Sequence, residues 1–522
     1  MNAAATLSAP AWHCICALED ILPESGAAAL IEGTEMAVFR VRDAVFAIGN
    51  FDPASDANVL ARGIVGDIGG EIVVASPMYK QHFSLVTGRC LEEPALAVPA
   101  YLAEVREGHI WVCMRSVPRR KAGRKPRLVV IGNGMAAMRA VEELLELSPQ
   151  AYDMTVFGAE PQGSYNRVLL SPLLAGDKRP EDIVTHPPQW YIERGITLHC
   201  GDPVIHLDRV HRCVRSSHGK EASYDRLLIA TGSLPIRLSV PGSDLQGVIT
   251  FRDLQDVDTM LAASRTQRRA IVIGGGLLGL EAASGLHRRG LDVWVVHVHD
   301  HLMERQLDPQ AAELLRDELE RRGLKFKMGA KTSRLCGGSH VSGVGFADGS
   351  ELPADLVVMA VGVRPNIELA KAAGLPCDRG LLVDDTMLTY DPAIYAVGEC
   401  VQHRGKTFGL VAPLFEQARV CATYLAERGT RGYRASQLST QLKVSGIDVF
   451  SAGNYQAGTG VESLVLRDPK RGIYKRLVIE QDKIRGAVLY GDVRDGGWYL
   501  DLINEGRDIR AIRDELFFGA PR

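Results

Sequence analysis

The stretch RLVVIGNGMAAMRAVEELLEL, residues 127–147, decides how the chain is read. An apolar run of strand length meets a Gly-x-Gly-x-x-Ala turn, and a segment of helical period follows. Gly132 permits the sharp bend, Gly134 lets the backbone approach a pyrophosphate, and Ala137 lets the helix lie close to the sheet. The helix N-terminus then faces the phosphate. A glycine turn alone also serves plain helix packing, but here strand, turn and helix come in the required order. Glu160 closes the next apolar run, DMTVFGAE (153–160), where a carboxylate can bind a ribose diol. It stands 28 residues after Gly132, beyond the usual ~20, and the insert ELSPQAYD accounts for the difference.

The design recurs in RRAIVIGGGLLGLEAASGLHRRGLDVWVVHV (268–298), with Gly274, Gly276 and Gly279 in the turn. Its second strand ends at His297 instead of an acid. No carboxylate stands there to repel a 2′-phosphate, and the next cation is Arg305, so the pocket is expected to take either NADH or NADPH. The plainer reading of His297 is a solvent-facing strand end. Two such units predict two α/β domains with doubly wound sheets, one nested within the other.

Ahead of them, alternating runs such as MAVFRVRDAVFAI (36–48), EIVVAS (71–76) and HIWVCM (109–114) predict a small antiparallel β domain over 1–115. The basic segment 116–126 reads as a linker, and its charge run as a solvated face or a docking spot. The first dinucleotide-binding unit is expected over 127–245 plus 373–425, and the second over 246–372. A C-terminal α+β domain covers 432–522, with strands at ESLVLRD, YKRLVIE and GAVLYGD and a helical end.

With 522 residues, 46% hydrophobic and 24% charged, and a formal net charge of -3, the chain reads as a soluble multidomain protein. That balance gives no reason to invoke nucleic acid or an anionic membrane. No signal peptide is legible at the start, and no apolar run approaches the ~18 residues of a membrane span. A cytoplasmic location is expected. Ten cysteines lie scattered, which predicts reduced structural thiols. The only close pair, Cys14-x-Cys16, falls two apart on a strand and offers too few ligands for a metal.

The motifs together resemble the pyridine nucleotide-dependent flavoprotein reductases. They are the two glycine turns, LLIATGS (227–233), AVGVRPN (360–366) and DPAIYAVGEC (391–400). The resemblance implies that FAD is held by Gly132, Gly134, Ala137, Glu160, Arg167, Thr231, Gly232, Gly398 and Glu399. It implies that the nicotinamide dinucleotide lies along Gly274, Gly276, Gly279, Glu281, His297 and Gly362. Glu281 is expected near nicotinamide and flavin, with no catalytic residue beyond the flavin itself. The family's last motif ends in Gly-Asp; here Glu399 is one methylene longer. SYNRVLLSPLLAGD (164–177) is similar to the electron-donating branch, which includes rubredoxin and ferredoxin reductases. It contains no cysteine, so electrons are expected to leave straight from the flavin.

Narrower still is a resemblance to the NAD(P)H-dependent assimilatory nitrite reductases. It rests on GNGMAAMRAVEELL, GGGLLGLEAA, MERQLD, FGLVAP and YKRLVIEQDKIRGAVLYGD, which look like the first half of the large subunit. DPASDANVL (52–60) and SPMYKQHFSLVTGRCLEEP (76–94) look like the small subunit, a Rieske-shaped domain. A Rieske [2Fe–2S] cluster takes two Cys and two His ligands. Asp52, Ala54, Ser76 and Tyr79 stand in those places, so no cluster is expected, and His82 reads as structural. No cysteine follows Cys421, where the family continues into a Cys-rich segment and a sirohaem domain. The expectation is an electron-input half that serves a cytoplasmic nitrate reductase or nitrite-reducing protein. Alternatives are a rubredoxin or ferredoxin reductase of another pathway, and a flavin redox sensor or assembly protein.

Overall fold

The alternating run at 36–48 folds as two antiparallel neighbours, Thr34–Val41 and Ala44–Gly49. The computed structural model describes residues 12–41, 44–68, 71–93, 95–116, 125–428, 432–434, 439–444, 446–455 and 461–520. These two strands lie in a six-stranded sheet, in the order Trp12–Ala17, His109–Ser116, Ala100–Arg106, Ala44–Gly49, Thr34–Val41, Ser25–Ile31. Because side chains alternate across a strand, Met36, Val38, Val45 and Ala47 pack into one core with Ile110 and Val112. Ala37, Phe39, Phe46 and Ile48 pack into another with Leu60, Val74 and Phe83. Burying each such large apolar side chain is worth about 1.5–3 kcal/mol. The second core carries the three-stranded sheet Ile64–Ile68, Glu71–Ala75, His82–Ser84. Between Cys14 and Cys16 the register shifts, so the simple two-residue alternation expected for that pair is broken. All ten cysteines are free thiols. The basic linker expected at 116–126 falls mostly on 117–124, outside the described residues.

Arg127–Ile131 is the middle strand of a five-stranded parallel sheet. The order is Thr197–His199, Asp153–Phe157, Arg127–Ile131, Arg226–Ile229, Ile394–Ala396. A second parallel sheet, with strands drawn only from 248–359, has the order Val248–Thr250, Leu356–Met359, Arg269–Ile273, Asp292–Val296, Lys325–Lys327. Its chain is thus inserted before the last strand of the first sheet. Leu128, Val130, Ile271 and Val272 are fully buried, as parallel strands covered on both faces require. Two short antiparallel strands, Ser233–Pro235 and Val363–Pro365, join the halves. There the Thr231 hydroxyl donates to the Asn366 carbonyl at 2.7 Å.

The last unit is a five-stranded antiparallel sheet, Ser439–Val444, Ile447–Gly453, Lys483–Tyr490, Ile473–Glu480, Glu462–Asp468, backed by the helix Gly496–Glu505. Its first two strands are additional to those read from the sequence. This sheet is tied to the second nucleotide-binding unit through Asp308, the N-cap of helix Pro309–Arg321. Asp308 accepts hydrogen bonds from the Tyr474 hydroxyl at 2.8 Å and the Arg476 guanidinium at 3.1 Å. No helix among the described residues is long and apolar enough to cross a membrane.

Candidate functional site

The two glycine turns are built alike. The Gly132 N–H donates to the Phe157 carbonyl, and the Gly274 N–H to the Val296 carbonyl, each at 2.8 Å. Both glycines have left-handed backbones, φ 111° and 127°. A Cβ on Gly132 would lie 2.2 Å from the Ala230 carbonyl oxygen, and one on Gly274 2.2 Å from that of Ala360. Only glycine fits either bend. Gly134 and Gly276 are the N-caps of helices Met135–Leu147 and Leu277–Arg288, and space in front of both is open. The backbone N–H groups at such an end, with the helix dipole, suit a phosphate.

Both turns open on one cleft of about 1690 Å³. Gly132, Gly134, Ala137, Glu160, Arg167, Thr231, Gly232, Gly398, Glu399, Gly274, Gly276, Glu281, His297 and Gly362 all line it. Gly279 does not: it lies beneath the turn, where a Cβ would meet the Gly274 carbonyl oxygen at 2.0 Å. Its task is close packing of helix on turn. No cysteine lines the cleft among the described residues.

Three carboxylates in the cleft have partners that sequence spacing did not reveal. Glu399 ion-pairs with Arg252 and accepts from the Ser233 hydroxyl at 2.9 Å. The turn before it is held where the Gly398 N–H donates to the Gln417 side chain at 3.0 Å. Glu160, three residues beyond its strand, ion-pairs with Arg167 and accepts from the Tyr165 hydroxyl at 2.5 Å. Arg167 also donates to the Arg252 carbonyl at 3.0 Å, linking the two groups. Glu281 accepts from the Ser171 hydroxyl at 2.5 Å, and burial raises its pKa above the usual carboxylate range.

His297 is not a solvent-facing strand end. It follows strand Asp292–Val296 and is only 6% exposed. Its Nδ1 accepts from the Gly275 N–H at 3.0 Å, so its Nε2 carries the proton and donates to Glu304 at 3.1 Å. The carboxylate missing from the strand end is therefore supplied by Glu304, which also lines the cleft. That corrects the expectation of a corner without an acid.

In the N-terminal domain, Asp52 is fully buried and accepts from the Ser76 hydroxyl at 2.5 Å, the Ser55 hydroxyl at 2.8 Å and the Ala54 N–H at 2.9 Å. Burial alone would raise its pKa, but these bonds outweigh it and hold the carboxyl low. Tyr79 and Met78 point outward, 65% and 57% exposed. His82 is bound to Glu92 at 2.5 Å. This set offers a carboxylate and a hydroxyl that are already spent on each other, and no thiolate-imidazole set. It does not fit a Rieske cluster, and no group of three or more metal-ligating side chains occurs among the described residues.

Two dinucleotide turns opening into one cleft are the layout of a protein that brings two dinucleotides together. The family profile described as pyridine nucleotide-disulphide oxidoreductase matches residues 126–421. The chain belongs to that family, and membership implies FAD and a nicotinamide dinucleotide as its cofactors. The open cradles at Gly134 and Gly276 fit both. Residues 11–113 match the Rieske-like [2Fe-2S] domain, and 439–507 the rubredoxin NAD+ reductase C-terminal domain. The chain is 48% identical over 385 residues to the nitrite reductase [NAD(P)H] of Bacillus subtilis, covering 74% of this chain and 48% of that protein. It is 43% identical to the assimilatory nitrate reductase electron transfer subunit of the same organism, covering 75% of this chain and 51% of that protein. It thus spans about half the length of these curated relatives. The solved NADH:rubredoxin oxidoreductase of Clostridium acetobutylicum is 25% identical, with a TM-score of 0.64 over 74% of this chain and 97% of that one.

Proposed function

We propose that this chain is an FAD-dependent NAD(P)H oxidoreductase that passes electrons to a separate redox partner in nitrate or nitrite assimilation. In this reading 127–245 with 373–425 hold FAD, and 246–372 hold the nicotinamide dinucleotide. Bound FAD supplies the two-electron acceptor for hydride and the route for releasing electrons singly. The first helix N-terminus and Gly134 receive one pyrophosphate, Gly276 and its helix the other. Glu160, braced by Arg167 and Tyr165, accepts from a ribose diol, and Glu399, braced by Arg252 and Ser233, from the flavin side chain. The half-buried Glu281, hydrogen-bonded to Ser171, keeps an ordered wall where the two halves of the cleft meet.

The observation that carries the proposal is the cleft itself: two dinucleotide cradles share it, and no thiol among the described residues lines it to take electrons onward. In this reading the electrons go on to an acceptor outside the cleft. The likeness to a nitrate reductase electron transfer subunit supports an acceptor in nitrogen assimilation. The N-terminal domain has no cluster in this reading, because Asp52, Ala54, Ser76 and Tyr79 supply no ligand set. It serves as a cytoplasmic partner's docking surface or as a cap on the flavoprotein.

A second reading, transfer to rubredoxin or a ferredoxin, is favoured by the match at 439–507. Purified protein, assayed for FAD and iron and then screened with NADH and NADPH against nitrate reductase, nitrite reductase, rubredoxin and ferredoxin, separates the two. Turnover with the nitrogen-cycle acceptors alone supports the first reading; turnover with rubredoxin or ferredoxin alone supports the second.

A further inference from the structure

The loop after His297 folds back over the second glycine turn. Leu302, Met303 and Leu307 are buried, at 1%, 0% and 1% exposure. The Met303 N–H donates to the Gly275 carbonyl at 3.0 Å. Met303 holds a left-handed backbone, φ 50°, a conformation that costs a non-glycine residue free energy and persists only where the surroundings impose it. At Gly275 a Cβ would meet the His297 ring at 2.7 Å and Leu302 at 2.9 Å, so loop and turn are in close contact. Glu304 is the next residue along, and its side chain reaches the cleft at the corner formed by Gly275 and His297.

His297 fixes how that carboxylate stands. With its Nδ1 occupied by the Gly275 N–H, the imidazole offers a single donor, Nε2, to Glu304 Oε2. Burial disfavours a charged His297. The other carboxylate oxygen, Oε1, has only distant cations around it: His299 Nε2 at 3.8 Å and Arg305 Nε at 3.9 Å. Both of those side chains are turned to solvent, Arg305 at 87% exposure. Oε1 thus retains acceptor capacity towards the cleft, whose lining on this side also includes the solvent-turned Arg305 and Lys331.

We infer that Glu304, positioned by His297, accepts a hydrogen bond from the adenosine 2′-hydroxyl of the nicotinamide dinucleotide and makes the site selective for NADH over NADPH. In most turns of this kind the acid closes the second strand. Here the strand ends in a neutral imidazole, and the acid arrives from the returning loop seven residues later. A 2′-phosphate would bring its negative charge against this carboxylate in a partly buried corner, where screening is weak. The inference rests on the nucleotide-binding reading proposed above.

The test uses the FAD-loaded full-length protein and measures binding of ADP-ribose and 2′-phospho-ADP-ribose by calorimetry, without turnover. The wild-type protein should bind ADP-ribose at least tenfold more tightly. Glu304→Gln should lose several-fold in ADP-ribose affinity and gain in 2′-phospho-ADP-ribose affinity, narrowing the ratio to within about threefold. The wild-type ratio needs no variant, so a misfolded Glu304→Gln leaves the question decidable. Equal binding of the two ligands, or tighter binding of the 2′-phosphate, overturns the inference while leaving the proposed function standing. Failure of the wild type to bind either ligand overturns the nucleotide-binding reading and the inference together.

Discussion

Ser76 and Asp52 lie on two loops of the N-terminal domain that are joined across 2.5 Å by a hydroxyl-to-carboxylate hydrogen bond. With the Ser55 and Ala54 bonds to the same carboxylate, they form a clasp that holds the loops together without metal. Hydrogen bonds to a charged group are worth about 1.5–3 kcal/mol. Asp52→Asn should therefore destabilise this domain by about that amount at pH 7, with little change in NAD(P)H–dye turnover. The folded carboxyl is held below its ordinary value, so the clasp stabilises above the unfolded pKa near ~3.9 and weakens as pH falls through the folded one. The melting-temperature gap between wild type and variant should shrink below about pH 4. A gap that is independent of pH would show that the carboxylate's charge is not what holds the loops.

Gly132 and Gly134 make separable demands. A side chain at Gly132 collides with the Ala230 carbonyl and needs an unfavourable φ, so Gly132→Ala should impair folding. Gly134 faces open space with φ -89°. Gly134→Val should leave a folded protein, by circular dichroism, that retains no flavin. Full flavin content in a folded Gly134→Val protein would mean that the pyrophosphate does not approach there.

Burial beside Ser171 raises the Glu281 carboxyl. A raised acid favours the folded state most below its unfolded pKa, near ~4.3, and its contribution is lost as pH rises. Glu281→Gln removes the titrating group but keeps an acceptor for Ser171. Its melting temperature relative to wild type should rise as the pH climbs above the unfolded value near ~4.3. Flavin reduction by NADH, followed by stopped flow, should slow roughly tenfold, the effect of ~1.4 kcal/mol of lost positioning. An unchanged rate would place Glu281 away from the reacting pair.

The N-terminal domain abuts the flavoprotein at Glu104. Burial, together with the nearby Asp385 and Asp384 charges, pushes this carboxyl up, while Arg106 pulls it down. Removing residues 1–118 should leave NAD(P)H oxidation with a small dye intact and collapse transfer to the protein acceptor. Persistence of both rates would end the docking role. Loss of FAD with precipitation would assign the domain to capping.

What was legible in the sequence is what local backbone chemistry demands. Gly132 and Gly274 are required by positive φ and by a carbonyl at 2.2 Å, so the turns and their flanking strands could be placed from residue type and order. The alternation at 36–48 likewise marked strands with a core on each face. Contacts between distant segments were not legible. Arg252 reaches Glu399, and Ser171 reaches Glu281, across 147 and 110 residues, with nothing in the spacing to announce either pair. Glu304 was hidden for a different reason: the returning loop, pinned by Leu302 and Met303, brings it to the corner where a strand-end acid was sought. The strands Ser439–Val444 and Ile447–Gly453 escaped notice because serine, threonine, lysine and glycine interrupt their apolar pattern.

The most direct measurement is an anaerobic titration of the purified holoprotein with NADH, followed by flavin absorbance. One FAD per chain should be bleached by one equivalent of NADH, then regain its colour when two equivalents of a one-electron protein acceptor are added. Uptake of a second equivalent before full bleaching would reveal a redox thiol or metal centre within the chain, and absence of bound flavin would remove the electron-transfer role altogether.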